Sequence, residues 1–119
     1  PLVETDLQSY LNMTGGRLSA TQDYKLAIDN SEITFLVVPT PSREDGNFSN
    51  RYLRDALKQL AVAFGASPKK HHLFVITSTV SPGSIYGELI PIIEKHSGRK
   101  YNIISLHTCF GCCIMFQLN

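Results

Sequence analysis

Long apolar runs are missing from this 119-residue chain. Those present, such as Phe35–Val38, fall far short of the roughly 20 residues that a membrane-spanning helix needs, and no charged segment leads into an apolar one at the start. A membrane protein or a secreted precursor is not expected, and a cytoplasmic location is. Charge is also sparse: charged residues make up 18% of the chain, the formal net charge is +1, and no basic run exceeds Lys69-Lys70. Such a surface carries no electrostatic footprint for nucleic acid or a membrane. The three cysteines all fall between Cys109 and Cys113, too close in sequence to staple distant segments, so a disulfide framework is not expected and a reducing compartment fits. The first residue is Pro1 and not Met, which leads to the expectation of an excerpt or processed form with a segment missing upstream. The length is that of one domain, or part of one.

What is present is a regular alternation of element types. Val3, Leu7, Tyr10 and Leu11 have helical spacing, with Gly15-Gly16 as the stop. "RLSATQD" alternates as a short strand would, and "DYKLAIDN" reads as a short helix capped by Asp23 with Tyr24, Leu26 and Ala27 inward. Ile33–Val38 is rich in β-branched and aromatic residues without polar alternation after Thr34, which predicts a parallel strand covered on both faces. A helix capped by Ser49 or Asn50 follows, with Leu53, Ala56, Leu57, Leu60, Ala61 and Phe64 on one face and Gly65 closing it at the C′ position. His71–Thr79 repeats the buried-strand composition. A helix is expected from about Gly83 to His96, kinked because Pro91 has no N–H to offer the Gly87 carbonyl, and "YNIIS" is a last candidate strand. Strand and helix in alternation with short connections predict an open parallel α/β sheet with right-handed crossovers.

Both predicted strands end in hydroxyl residues and proline: "VVPTP" after the first and "TSTVSPG" after the second. In open α/β sheets ligands bind beyond the carboxyl ends of the strands. Pro39 and Pro41 restrict the backbone there and bias Val38 and Thr40 toward extended geometry, which would hold the Thr40 hydroxyl in place before a ligand arrives. Proline, serine and threonine are also ordinary loop residues, and that plain reading stays open beside the first.

The segments "SEITFLVVPTPSREDGNFSNRYLRDALKQLA", "HLFVITSTVSPGS" and "IIEKHSGRK" closely resemble the coenzyme-binding domain of the nucleotide-sugar 6-dehydrogenases, the UDP-glucose and GDP-mannose dehydrogenase family. The resemblance covers roughly residues 1–100. It implies an α/β, Rossmann-type three-layer parallel sheet, present only in part, with residues 101–119 as a last strand and an atypical tail. It also implies NAD as cofactor and, in the complete enzyme, oxidation of a nucleotide-sugar C6 alcohol to a uronic acid carboxylate. That chemistry runs through a thiohemiacetal and a thioester on a cysteine. By the same resemblance Val38, Pro39, Thr40 and Pro41 would lie along the NAD, Ser78, Thr79 and Val80 would approach its nicotinamide end, and Thr79 would help hold a catalytic water. The parent enzyme would be a homo-oligomer whose nucleotide-sugar substrate is bound by another domain.

Departures from the family pattern accompany the likeness. No Gly-x-Gly-x-x-Gly follows a strand, so the first βαβ unit with its phosphate-binding turn is absent, as are the Asn-Pro-Glu-Phe segment and the domain with the nucleophilic cysteine and lysine. The chain alone is therefore expected to be inactive. The alternative is a non-catalytic, truncated binding or interaction module. His107, Cys109, Cys112 and Cys113 place four possible ligands within seven residues, but a tetrahedral site built from one contiguous stretch is strained, and no metal is expected. His71 and His72 are expected at the solvated mouth of a strand, the "SREDG" charges on a solvated turn, and His96 near a helix end.

Overall fold

The computed structural model of the chain describes residues 4–44, 46–100 and 104–108. In chain order the elements are α1 (Leu7–Met13), α2 (Tyr24–Asp29), β1 (Ile33–Leu36), α3 (Arg51–Gly65), β2 (His72–Ile76), a π-helical turn (Ile85–Leu89), α4 (Ile90–Ser97) and β3 (Ile104–Thr108). The strands form one parallel sheet in the order β1-β2-β3, with Leu36 opposite Ile76 and Ile76 opposite Thr108. Helical crossovers between successive parallel strands are what the alternating pattern predicts.

The core lies on one face of this sheet. Leu36, Phe74 and Ile76 pack there with Leu53, Leu57, Leu60, Ala61, Ala63 and Phe64 of α3, Ile28 of α2, and Leu89, Ile90 and Ile93 around the start of α4. The α3 stripe is as its spacing predicts, and each fully buried leucine on it contributes about 1.5–3 kcal/mol of transfer free energy. The opposite face is open, which corrects the expectation of strands covered on both sides: Ile33, Phe35 and Val37 are 47%, 63% and 79% exposed. Both crossover helices pack on the one face. None of the described elements covers the other, so apolar composition alone overstated the burial of β1.

Local readings meet the structure unevenly. Asp23 caps α2 as expected, its carboxylate accepting from the Lys25 and Leu26 amides at 2.8 and 3.1 Å, yet the buried residue of that helix is Ile28, while Tyr24 and Leu26 are exposed. α1 begins later than its spacing suggests and buries nothing; Val3 lies outside the described residues. "RLSATQD" is irregular and pairs with no strand among the described residues. Gly65 is the last residue of α3 and not a left-handed cap. Its role is contact, since a Cβ there would stand 2.7 Å from the Ser97 carbonyl oxygen of α4. The left-handed cap belongs to Gly98, with φ 68°, whose N–H bonds the Glu94 carbonyl. Pro91 acts through a register change: the Ile90 N–H bonds the Ile85 carbonyl across a π turn, and α4 then restarts with Pro91 in its first turn, where no N–H is needed. Only Ile104 and Ser105 of "YNIIS" lie within described β3; residues 101–103 lie outside the described residues.

Candidate functional site

Parallel pairing of β1 with β2 brings the two proline-stiffened loops to the same edge of the sheet. The pairing runs past the ends of the strands. The Thr77 N–H donates to the Leu36 carbonyl at 3.0 Å, and the Thr77 hydroxyl donates to the same oxygen at 2.7 Å. One residue further, Ser78 Oγ accepts from the Val38 N–H at 2.8 Å and donates to the Val38 carbonyl at 2.8 Å. The loops are thus tied to each other at their origins.

They are tied again at their far ends. The first loop does not relax after Pro41: Ser42 bridges Phe48 in antiparallel fashion, the Arg43 N–H reaches the Asn47 carbonyl at 2.7 Å, and the Ser49 N–H reaches the Pro41 carbonyl at 2.9 Å. Gly46, with φ 78°, supplies the left-handed residue this turn requires. Arg43 and Glu44 are exposed, consistent with a solvated turn; Asp45 lies outside the described residues. The chain then enters α3 at Asn50, whose Nδ2 donates to Glu88 Oε2 at 2.9 Å, while Arg54 Nε lies 3.2 Å from Glu88 Oε1. Glu88 stands in the π turn that follows the second loop. Spacing within either loop could not have revealed this Asn50–Glu88–Arg54 link, because its partners are 38 and 34 residues apart.

Between these ties lie the residues expected to meet a ligand. Val38, Thr40, Thr79 and Val80 are half-buried, and Pro39 and Pro41 are exposed. Among the described residues the Thr40 and Thr79 side chains have no hydrogen-bond partner, in contrast to Thr77 and Ser78. Two uncommitted hydroxyls beside an apolar strip of valine and proline fit the ribose and ring portions of a dinucleotide, which present hydroxyls, an amide and flat apolar faces. A groove of about 640 Å³ lies elsewhere, along the outer edge of β1 between α2 and α3, and shares only Val37 and Val38 with these loops.

The expected metal-poor character concerns residues mostly outside those described: Cys109, Cys112 and Cys113 are beyond them, and no cluster of three or more His, Cys, Asp or Glu side chains forms a metal site among the described residues. His71 is exposed as predicted, but His72 is not at a solvated mouth. It is buried, its Nε2 is 2.8 Å from Thr34 Oγ1, and its ring lies 4.8 Å from that of Phe74 and 5.9 Å from that of Phe64.

Comparison with known proteins bears on what these loops hold. The profile of the UDP-glucose/GDP-mannose dehydrogenase family, NAD binding domain, matches residues 1–109. The chain is 34% identical over 105 residues to a GDP-mannose 6-dehydrogenase of Pseudomonas aeruginosa, covering 87% of this chain and 24% of that protein. To a UDP-glucose 6-dehydrogenase of Rickettsia felis it is 33% identical over 107 residues, covering 88% and 22%. Its fold superposes on the crystal structure of a ternary complex of GDP-mannose dehydrogenase from Pseudomonas aeruginosa with a TM-score of 0.79 at 33% identity, covering 91% of this chain and 25% of that one. A UDP-glucose dehydrogenase from Pyrobaculum islandicum gives 0.74 at 28% identity, covering 89% and 24%. The chain spans about a quarter of the length of the curated relatives it matches. With a parallel α/β sheet of Rossmann type, loops that suit a dinucleotide and a match over nearly its whole length, the chain belongs to the NAD-binding domain of the UDP-glucose/GDP-mannose dehydrogenase family.

Proposed function

We propose that this chain is the distal part of the cofactor domain of a nucleotide-sugar 6-dehydrogenase, an enzyme that oxidises a sugar C6 alcohol to a carboxylate. The observation that carries the reading is the pairing of the two loops at one sheet edge, with the Thr40 and Thr79 hydroxyls uncommitted between two ties. Bound NAD⁺ supplies the hydride acceptor. The chain's own part is to bind and orient: Val38, Pro39, Thr40 and Pro41 flank the dinucleotide, Val80 lends an apolar contact near the nicotinamide end, and the Thr79 hydroxyl holds a water by hydrogen bond. Ser78 takes part in the same crevice through its position beside Thr79. The nucleotide sugar is bound by a domain outside this chain, and subunit association is a property of the complete, cytoplasmic enzyme.

The test is made in the complete enzyme. Thr79→Val keeps the shape and removes only the hydroxyl; losing one preorganised hydrogen bond at a reacting centre costs about 2.7–4 kcal/mol, roughly a hundred- to a thousandfold in turnover. Thr79→Ser is the milder change. Turnover of Thr79→Val within about threefold of the parent, with a lowered melting temperature, would instead mean that the hydroxyl serves loop stability alone. In the same assay the 119-residue chain by itself shows no turnover, and calorimetry gives it a Kd for NAD⁺ weaker than about micromolar, because it lacks a glycine-rich turn to receive the pyrophosphate.

A further inference from the structure

We infer that Ser78 is a positioning residue, which sets the spacing of the two loops and through it the placement of Thr40 against Thr79. This rests on the cofactor-site reading above. A serine hydroxyl has one hydrogen to donate and can accept two. Here the hydrogen goes to the Val38 carbonyl at 2.8 Å and a lone pair takes the Val38 N–H at 2.8 Å, with the Leu36 carbonyl a further 3.5 Å contact. The single donor of Ser78 is therefore spent within the protein. Val38 lies two residues past the last β1–β2 pair, Leu36 with Ile76, and its main chain would otherwise face the loop without a partner. The side chain replaces the ladder there and carries the sheet's register into the loops. Val38 is followed directly by Pro39, so a fixed Val38 fixes the origin of the Pro39-Thr40-Pro41 segment. Alanine at 78 would leave both polar groups of Val38 unpaired at a half-buried site, a costlier change than losing a surface contact.

Two measurements test this, and the first does not depend on the cofactor reading. In the 119-residue chain, amide exchange followed by NMR shows the Val38 N–H protected like the strand amides, and Ser78→Ala abolishes that protection while β1 and β2 keep theirs. A Val38 amide that exchanges freely in the parent chain overturns the inference. In the complete enzyme, Ser78→Ala weakens NAD⁺ binding on the order of tenfold and lowers turnover, while Ser78→Thr, which keeps the hydroxyl, stays near the parent. Weakened NAD⁺ binding with unchanged Val38 protection would mean that Ser78 touches the cofactor directly, and lost protection with unchanged NAD⁺ binding would make it a purely structural tie; either result overturns the positioning role. If the unsubstituted complete enzyme does not bind NAD⁺, the cofactor reading fails whatever the exchange result.

Discussion

His72 shows how far one residue's surroundings can depart from what its neighbours in sequence suggest. It is 3% exposed, wedged between the Phe64 and Phe74 rings, and its Nδ1 has no hydrogen-bond partner. Burial holds its pKa below the ordinary 6.5, the Lys69 charge acts in the same direction, and the main chain at Ser31 opposes them. The same aromatic cluster is covered at Phe64 by the Arg99 guanidinium, 4.2 Å above that ring. Burial in the fold therefore favours the neutral imidazole over the charged one. The unfolded chain takes up a proton near pH 6.5 and the folded one only at lower pH, so this contribution to stability is complete above about 6.5 and declines as pH falls from there toward the depressed folded value. Urea unfolding of the chain should show a falling midpoint between pH 7.5 and 5.5, and His72→Leu should flatten that slope. An unchanged slope in the variant would place the pH dependence elsewhere. Asp29 works at a different pH. Lys25 and Ser67, in that order, hold its carboxyl below 3.8 by hydrogen bonding, so its contribution is present above 3.8 and fades only as pH falls below that value.

Among the elements, the contact of α3 with α4 decides the sign of a common stabilising substitution. Alanine for glycine in an exposed helix normally adds up to about 1 kcal/mol. At Gly65 the added methyl would meet main-chain atoms of Ser97, at 2.7 Å from O and 3.1 Å from Cα, which cannot rotate away as a side chain could. Gly65→Ala should therefore destabilise the chain by about 1–3 kcal/mol, the usual range for overpacking, read as a lower urea midpoint at unchanged far-UV circular dichroism. A gain in stability would show that α4 moves aside freely. Arg99 makes such movement harder, since its guanidinium donates to the Ser67 carbonyl at 2.6 Å and also to the Lys69 carbonyl, pinning the end of α4 to the turn between α3 and β2.

At the scale of the whole molecule the described residues cover the sheet on one side only. Among the described residues β1 is an edge strand, Ile33, Phe35 and Val37 stand on the uncovered face, and the groove of about 640 Å³ runs along the same edge. A contiguous exposed apolar surface on a small chain favours association. The chain studied alone should bind a hydrophobic dye such as ANS and sediment faster as its concentration rises. Phe35→Lys should reduce both effects while leaving the melting temperature within a few degrees, because Phe35 lies outside the core. Loss of the folded signal in that variant would show that Phe35 is packed in solution.

Local composition and spacing determined the alternation of helix and strand, the inward stripe of α3, the Asp23 cap, and the placement of two hydroxyl-and-proline loops after parallel strands. These were legible because each depends on residues a few positions apart. The same patterns specify which residues can be buried, not whether a second element arrives to bury them. Only the tertiary structure decided that β1 shows one face to solvent, that His72 is enclosed while His71 is not, and that Gly65 serves a helix crossing. The candidate site divides in the same way. The first loop's motif brought Thr40 to notice and the family resemblance brought Thr79, but the hydrogen bonds that tie the two loops, Ser78 to Val38 and Asn50 to Glu88, join residues 40 and 38 positions apart and exist only once the sheet has closed the distance between them.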